Sequence, residues 1–347
     1  MSWTFHITER WEDIWNEGFQ IKWLNLLETS SNPHVFFHPA LVKAWVDTYI
    51  PICKIFPIFI WGESGDNEVF LPLILWHKNW KNAFLKVIIP AGYSDFDYHD
   101  PIFKDSTDKK AIVQFWNELL PILNKYQHDE IILDGLHSEY IPEAFTTISD
   151  ESCPFLDLTD IKTEHDLMNF LSTSLRGDIR RQVRRLNEIG MLTLHEYSSI
   201  NEVLPTFNRF LTEHIKRWPN AYKAPHFHIN LIKEGLGEVV HFSSIDIDNT
   251  PIAWHLGFEL SKKYYYYMPA GDFLYSKFSP VKIHLFLLIK RAIDLGYYKY
   301  DHLRGEETYK QGWSNGIEKT HYCMKYKNSS LTKMKLSLFK LRELIKL

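Results

Sequence analysis

Residues 263–303, "KYYYYMPAGDFLYSKFSPVKIHLFLLIKRAIDLGYYKYDHL", carry the order of elements that decides the fold. The aromatic run at the start suits a strand, and the four tyrosines at 264–267 alternate faces, two rings inward and two outward. "SPVKIHLFLLIKRAIDLG" then reads as a strongly apolar helix, with Ser279 as N-cap, Pro280 at the first helical position and Gly296 as the stop. "YYKYDHL" is a second short strand. Strand, helix and strand in this order predict a parallel pair with the helix laid across the sheet. A charged turn follows at once, with Asp301, Arg304, Gly305, Glu306 and Glu307, and then Tyr309, Lys310 and Trp313 at helical spacing.

Upstream, "GEVVHFSSIDIDNTPIAWHLGFELSKKYYYYMPAGD" predicts three strands joined by the turns "IDNT" and "LSKK". Before them come the helical segment "TEHDLMNFLSTSLRGDIRRQVRRLNEIG", stopped at Gly190, the strand "MLTLHEY" and the helix "NEVLPTFNRFLTEHIKRW". The first half runs in a similar order. "PALVKAWVDTYI" (39–50) is a helix opened by Pro39, and "KIFPIFIW" and "EVFLPLILWHK" pair across the turn "GESGDN". "FLKVIIPAGYSDFDYHDPIF" is a strand running into a polar, acidic loop from Tyr93 to Asp100. "DKKAIVQFWNELLPILNKY" is an amphipathic helix, and "HDEIILDGL" a strand ending at Asp134 and Gly135. Order repeats without sequence repeating. The expectation is an α/β (α+β) protein of two domains, residues 1–155 and 156–347.

A length of 347 residues agrees with two domains, and 45% hydrophobic with 24% charged residues describes a globular chain rather than a disordered one. The formal net charge of −4 supplies no overall field toward nucleic acid. Cys53, Cys153 and Cys323 show no CxxC spacing and read as reduced thiols. No signal-peptide pattern opens the sequence, and apolar runs such as "KIFPIFIW" stop short of the roughly 20 residues of a membrane span. A cytoplasmic protein is expected. The histidines His226 and His228, with His214 and His241, lack a metal-ligand framework and read as loop histidines; no metal is expected.

Several residues point to chemistry, each beside a plainer reading. The start of the helix at Ser279 offers unpaired N–H groups to an anion, with Lys277 and Lys282 nearby, or is simply a capped core helix. Arg176, Arg180, Arg181, Arg184 and Arg185 share one helix face, which is a solvated surface or a seat for nucleotide phosphates. Tyr93, Asp95, Asp97, His99 and Asp100 form turn chemistry, or receive a sugar ring and its ammonium group. His255, beside Trp254 on a strand, is a proton acceptor or a buried, hydrogen-bonded histidine. Asp301 is a base or a partner for Arg304, and Arg304, Glu307 and Lys310 either lock the turn or touch a ligand.

The segment 264–313 resembles the C-terminal signature of GNAT-type acyltransferases of the CelD-like, cellulose-biosynthesis kind. The resemblance rests on Ser279, Pro280, Asp301, Arg304, Gly305, Glu307, Tyr309, Lys310 and Trp313, while Val281 stands where that family usually has glycine. "SLRGDIRRQVRRLNEIG" is similar to the family's arginine-rich helix, and "FFHPALVKAWVDTY" resembles its N-terminal entry. The resemblance implies two tandem GNAT-like domains, as in Fem-type transferases, each a mixed, mostly antiparallel sheet flanked by helices. It implies an acyl-CoA donor held by the second domain through Met268, Ala270, Lys277, Phe278, Ser279 and Lys282, with the acceptor on the side of the first. The implied reaction is direct attack of an amine on the thioester, with Asp301 or His255 as base and Tyr309 as proton donor to the thiolate. The acceptor expected is a nucleotide-linked amino sugar for a surface polysaccharide, met by Tyr93, Asp95, Asp97, Arg180, Arg184, Trp254, Tyr267, Arg304, Glu307 and Lys310. A monomer or weak dimer without nucleic-acid partners follows. The rival readings are a Fem-type transferase using aminoacyl-tRNA, against which the net charge weighs, and a non-catalytic binding protein of a polysaccharide assembly.

Overall fold

The computed structural model describes residues 2–345 apart from 32, 106, 220–222 and 225. The chain forms two compact units, Met1–Glu151 with Lys319–Leu347, and Ser152–Glu318. The expected division at 155/156 left everything after it in one domain. The chain instead returns its last stretch to the first unit, because β13 (Gly316–Tyr326) pairs antiparallel with β6 (Glu130–His137).

The first unit orders its strands β1 (Thr4–Thr8), β2 (Lys54–Ser64), β3 (Asn67–His77), β4 (Lys86–Pro90), β6 and β13, with the short β5 (Ile102–Phe103) against β3. β4 and β6 are parallel, joined through helix α4 (Lys109–Leu123). The predicted strands and the helix α3 (Pro39–Tyr49) are all present. The loop from Tyr93 to Asp100 is not a solvated turn: Phe96, Tyr98, His99 and Asp100 are buried. Asp100 accepts from the His137 backbone N–H at 2.7 Å and meets its Nδ1 at 2.5 Å. The strand ending at His137 therefore runs past the expected stop at Gly135. Gly135 has a φ of +71°, and a Cβ there would lie 2.4 Å from the Asp97 carbonyl oxygen, so the loop rests on bare backbone.

In the second unit the strand order is β7 (Thr146–Asp157), β12 (Lys299–Asp301), β11 (Lys263–Gly271), β10 (Thr250–Leu260), β9 (Val240–Ile247) and β8 (Leu192–Glu196). Here β11 and β12 are parallel, and α9 (Pro280–Asp294) connects them as the opening segment predicted. The hairpin turns fall at Asp248–Asn249 and Ser261–Lys262, where all four residues have positive φ, the geometry of two-residue turns that follow strand twist. The helices α5 (Glu164–Phe170), α6 (Thr173–Asn187), α7 (Ile200–Arg217) and α8 (Phe227–Gly235) complete the unit. Gly296, at φ +69°, ends α9 as expected.

The tyrosine run departs from its prediction. Tyr264, Tyr265 and Tyr266 are all buried, because α9 packs on β11 and α7 packs on it as well. A sheet covered on both faces buries rings of either orientation, and only Tyr267, at the end of the run, stays half-buried. His228, His214 and His241 sit within α8, α7 and β9 rather than in loops, and all three are buried. Among the described residues no helix is long and apolar enough to cross a membrane, and no group of three or more His, Cys, Asp or Glu could hold a metal ion.

Candidate active site

The parallel strands β11 and β12 pair only over Lys263↔Lys299, Tyr264↔Tyr300 and Tyr265↔Asp301. From Tyr266 to Gly271, β11 continues without β12 beside it. A cavity of about 530 Å³ opens at this separation. Among the described residues its walls come from the last turn of α7 (Glu213, Lys216, Arg217) with Trp218, from β11 (Tyr266, Pro269, Ala270, Gly271), and from Asp272, Phe273 and Ser276. Ser279, Pro280, Val281, Lys282 and Leu285 at the start of α9 close one end, and Tyr309 and Trp313 another.

The α9 end is built for close approach in an unexpected way. Ser279 occupies the N-cap position, but its backbone is left-handed (φ 52°, ψ 52°) and its side chain makes no capping bond, contrary to the sequence reading. Pro280, lacking an N–H, follows it. Val281 packs against Gly271, where an added Cβ would sit 2.6 Å from the valine Cγ2. Gly271 thus makes room for the Val281 side chain. Lys282 lines the cavity and pairs with Asp178 at 2.7 Å, which holds that carboxyl below its usual range. Arg185 covers Phe278 at 4.8 Å and donates to the Lys277 carbonyl, so part of the arginine face braces the loop before α9.

Two carboxylates line the cavity. Asp272 is buried, bonded to Arg209 and accepting from the Leu274 N–H at 2.9 Å, so its charge is already engaged. Glu213 pairs with the exposed Lys216 at 2.6 Å. Tyr309 is 40% exposed, and burial together with Glu307 raises its phenol above the ordinary range, keeping it a proton donor.

The sequence candidates separate into two groups. Ala270, Ser279, Lys282 and Tyr309 lie on the cavity wall; Met268, Lys277, Phe278, Trp254 and Tyr267 lie outside it. His255 is fully buried in the sheet, bonded through Nδ1 to the Tyr264 hydroxyl at 3.0 Å, and burial with His284 and His241 nearby pushes its pKa far down. Asp301 is buried too and accepts from the Leu303 N–H at 2.8 Å. Neither lines the cavity. Lys310 is buried and clamps the charged turn: its Nζ donates to the Arg304 carbonyl at 2.7 Å and pairs with Glu307 at 2.9 Å. A buried ammonium is tolerable only with such partners. Gly305, at φ +124°, has no room for a side chain beside Glu307 and Lys310. In the first unit, Asp95 accepts from Trp45 Nε1 at 3.1 Å and from the Tyr49 hydroxyl at 2.7 Å, the same loop that carries Tyr93 and Asp97. Arg180 and Arg184 line a separate open groove of about 540 Å³ with His165 and Phe286.

The cavity residues that sequence reasoning missed are Glu213, Arg217, Trp218, Tyr266 and Asp272. Trp218 and the charges before it did carry a signal, since a helix that ends in "EHIKRW" puts charge and an aromatic ring at one terminus.

Residues 173–311 match the family described as Acetyltransferase (GNAT) domain. The fold is two GNAT-like domains in tandem. The structure of FemX superposes with a TM-score of 0.61 at 11% identity, covering 96% of this chain and 99% of that one. L-PGS from Bacillus licheniformis gives 0.56 at 11% identity over 92% and 96%. A tandem GNAT protein from the clavulanic acid biosynthesis pathway gives 0.50 at 8% identity over 95% and 100%. No curated protein sequence matches the chain. At such identities the likeness is one of fold, and together with the matched GNAT domain it supports a transferase.

Proposed function

We propose that the protein is an N-acyltransferase, moving an acyl group from a coenzyme A thioester to the amine of a nucleotide-linked amino sugar. The observation that carries the reading is the cavity itself, which begins at the start of α9 and runs into the gap where β12 leaves β11. The N–H groups at a helix start favour a pyrophosphate. The open edge of β11 beyond Tyr265 suits an extended chain, and the apolar walls at Pro269, Ala270, Leu285 and Trp313 suit an acyl group.

Roles for the chain's own residues follow. Glu213, the cavity carboxylate not held by an arginine, takes the proton of the attacking amine. As the C–N bond forms and the C–S bond breaks, the electron pair leaves on sulfur, and Tyr309 donates the proton that neutralises it. In this reading His255 and Asp301 shape the site rather than take the amine's proton. Arg180 and Arg184 receive the phosphates of the acceptor.

The test is an assay of free thiol release with a panel of acyl-CoA donors and nucleotide-linked amino sugars, with products weighed by mass spectrometry. Amine-dependent thiol release with a matching amide product supports the reading. Thiol release without an amide product removes the sugar acceptor, and no release from any acyl-CoA removes the donor.

A further inference from the structure

The phenol of Tyr266, a residue of the cavity wall, has no role in the scheme above. Tyr266 is the first residue of β11 beyond the pairing with β12, and it lines the cavity while its ring is buried. Its ring lies flat on His255, with centroids 4.3 Å apart and planes 7° from parallel. His255 is fixed in turn by the Tyr264 hydroxyl, which also meets His241 Nδ1 at 2.8 Å, and His241 Nε2 meets Glu196 at 3.0 Å. Arg291 bonds both Glu196 and Glu259, anchoring this series at α9. Gly257 makes the arrangement feasible, since a Cβ there would lie 2.5 Å from the His255 ring. Tyr266 is therefore a phenol on a rigid mount at the cavity floor, whereas Tyr309 stands at the exposed rim.

We propose that the Tyr266 hydroxyl donates a hydrogen bond to the carbonyl oxygen of the thioester, where negative charge grows as the amine attacks. The proposal rests on the acyl-transfer reading and adds a catalytic residue to it. A preorganised donor in a site screened from water is worth far more than the same group in solution, because it need not reorient during the reaction. The environment keeps it a donor: burial raises the Tyr266 phenol well above its ordinary range, and burial holds His255 neutral beneath it. Tyr300, in the same aromatic group with its centroid 6.0 Å from Tyr266, is the natural control, since its hydroxyl is buried and lies outside the cavity wall.

The experiment uses the full chain with acyl-CoA carrying a carbon-13 label at the thioester carbonyl, without acceptor. Infrared difference spectra of the bound donor are compared for wild type, Tyr266→Phe and Tyr300→Phe, with the affinity of each measured by calorimetry. The expected result is a carbonyl band at lower wavenumber in wild type and Tyr300→Phe, and a return toward the free position in Tyr266→Phe with affinity changed less than about threefold. In turnover, Tyr266→Phe then lowers kcat by about a hundredfold, the loss typical of one such donor, with little change in KM. An unmoved band in Tyr266→Phe overturns the proposal while leaving the donor reading intact. Absence of acyl-CoA binding to wild type overturns both.

Discussion

At the scale of single residues, the difference between a chemically apt side chain and a usable one is access. His255 has an imidazole suited to proton transfer, but it is wholly buried with its pKa pushed far down by burial. Glu213 drew no attention in the sequence, yet it lines the cavity. Glu213→Gln is expected to lower kcat by about a hundredfold, within the range for loss of a general base, with the KM for the donor little changed. Steady-state kinetics across donor concentration checks this, and an unchanged kcat removes Glu213 from the mechanism. For the separate groove, the double variant Arg180→Ala with Arg184→Ala is expected to raise the acceptor KM about tenfold while the donor KM stays fixed. An unaltered acceptor KM returns that face of α6 to plain solvation.

At the scale of elements, the charged turn after β12 is a structural clamp. Its first part, Asp301, is tied to the Leu303 N–H, and its last, the buried Lys310, reaches back to the Arg304 carbonyl. The clamp places Tyr309 and Trp313, which both line the cavity. Gly305→Ala would force a side chain onto Glu307 and Lys310 at a φ of +124°, and is expected to cost about 1–3 kcal/mol. Urea unfolding reads that loss directly, and a midpoint equal to wild type would show that the turn relaxes freely. Here the sequence was informative about elements and silent about their closure. The order strand, helix, strand from 263 to 303, Pro280 and Gly296 as helix limits, and the two hairpin turns all follow from local rules that act within a few residues. β7 reads "TTISDESCPFLD", polar over its first half and without alternation, so nothing local marks it as a strand. The cavity depends on where β12 stops relative to β11 and on Gly271 making room for Val281, contacts between residues distant in sequence. Whether Lys310 locks the turn or touches a ligand stayed open in the sequence, because its burial and its bond to the Arg304 carbonyl leave no residue pattern.

For the whole molecule, buried histidines tie stability to pH. His284 and His302 are both buried, and burial lowers them to about 3 and about 4 respectively, from an ordinary value near 6.5. Their folded pKa values lie below the unfolded one, so the unfolded chain binds more protons between those limits. Stability is therefore complete above pH 6.5 and falls as the pH drops toward 4. Each such histidine costs about 1.4 kcal/mol per pH unit within that window. His214, lowered to about 4, adds in the same direction. Unfolding midpoints measured from pH 7.5 to 5 are expected to fall steadily below 6.5; a flat profile would mean these rings are protonated in the fold or exposed to solvent.

The return of the chain to its first unit through β13 also bears on function, because it makes residues 152–318 an insertion between two parts of the first unit. The GNAT match at residues 173–311 falls wholly inside that insertion, as does the cavity. The central claim is that this cavity receives a coenzyme A thioester. Thermal unfolding with and without coenzyme A tests it most directly. At a hundred times its Kd, free coenzyme A is expected to stabilise the fold by about 2.7 kcal/mol, seen as a rise in Tm that Lys282→Ala reduces. An unchanged Tm at millimolar coenzyme A and acyl-CoA would contradict the account.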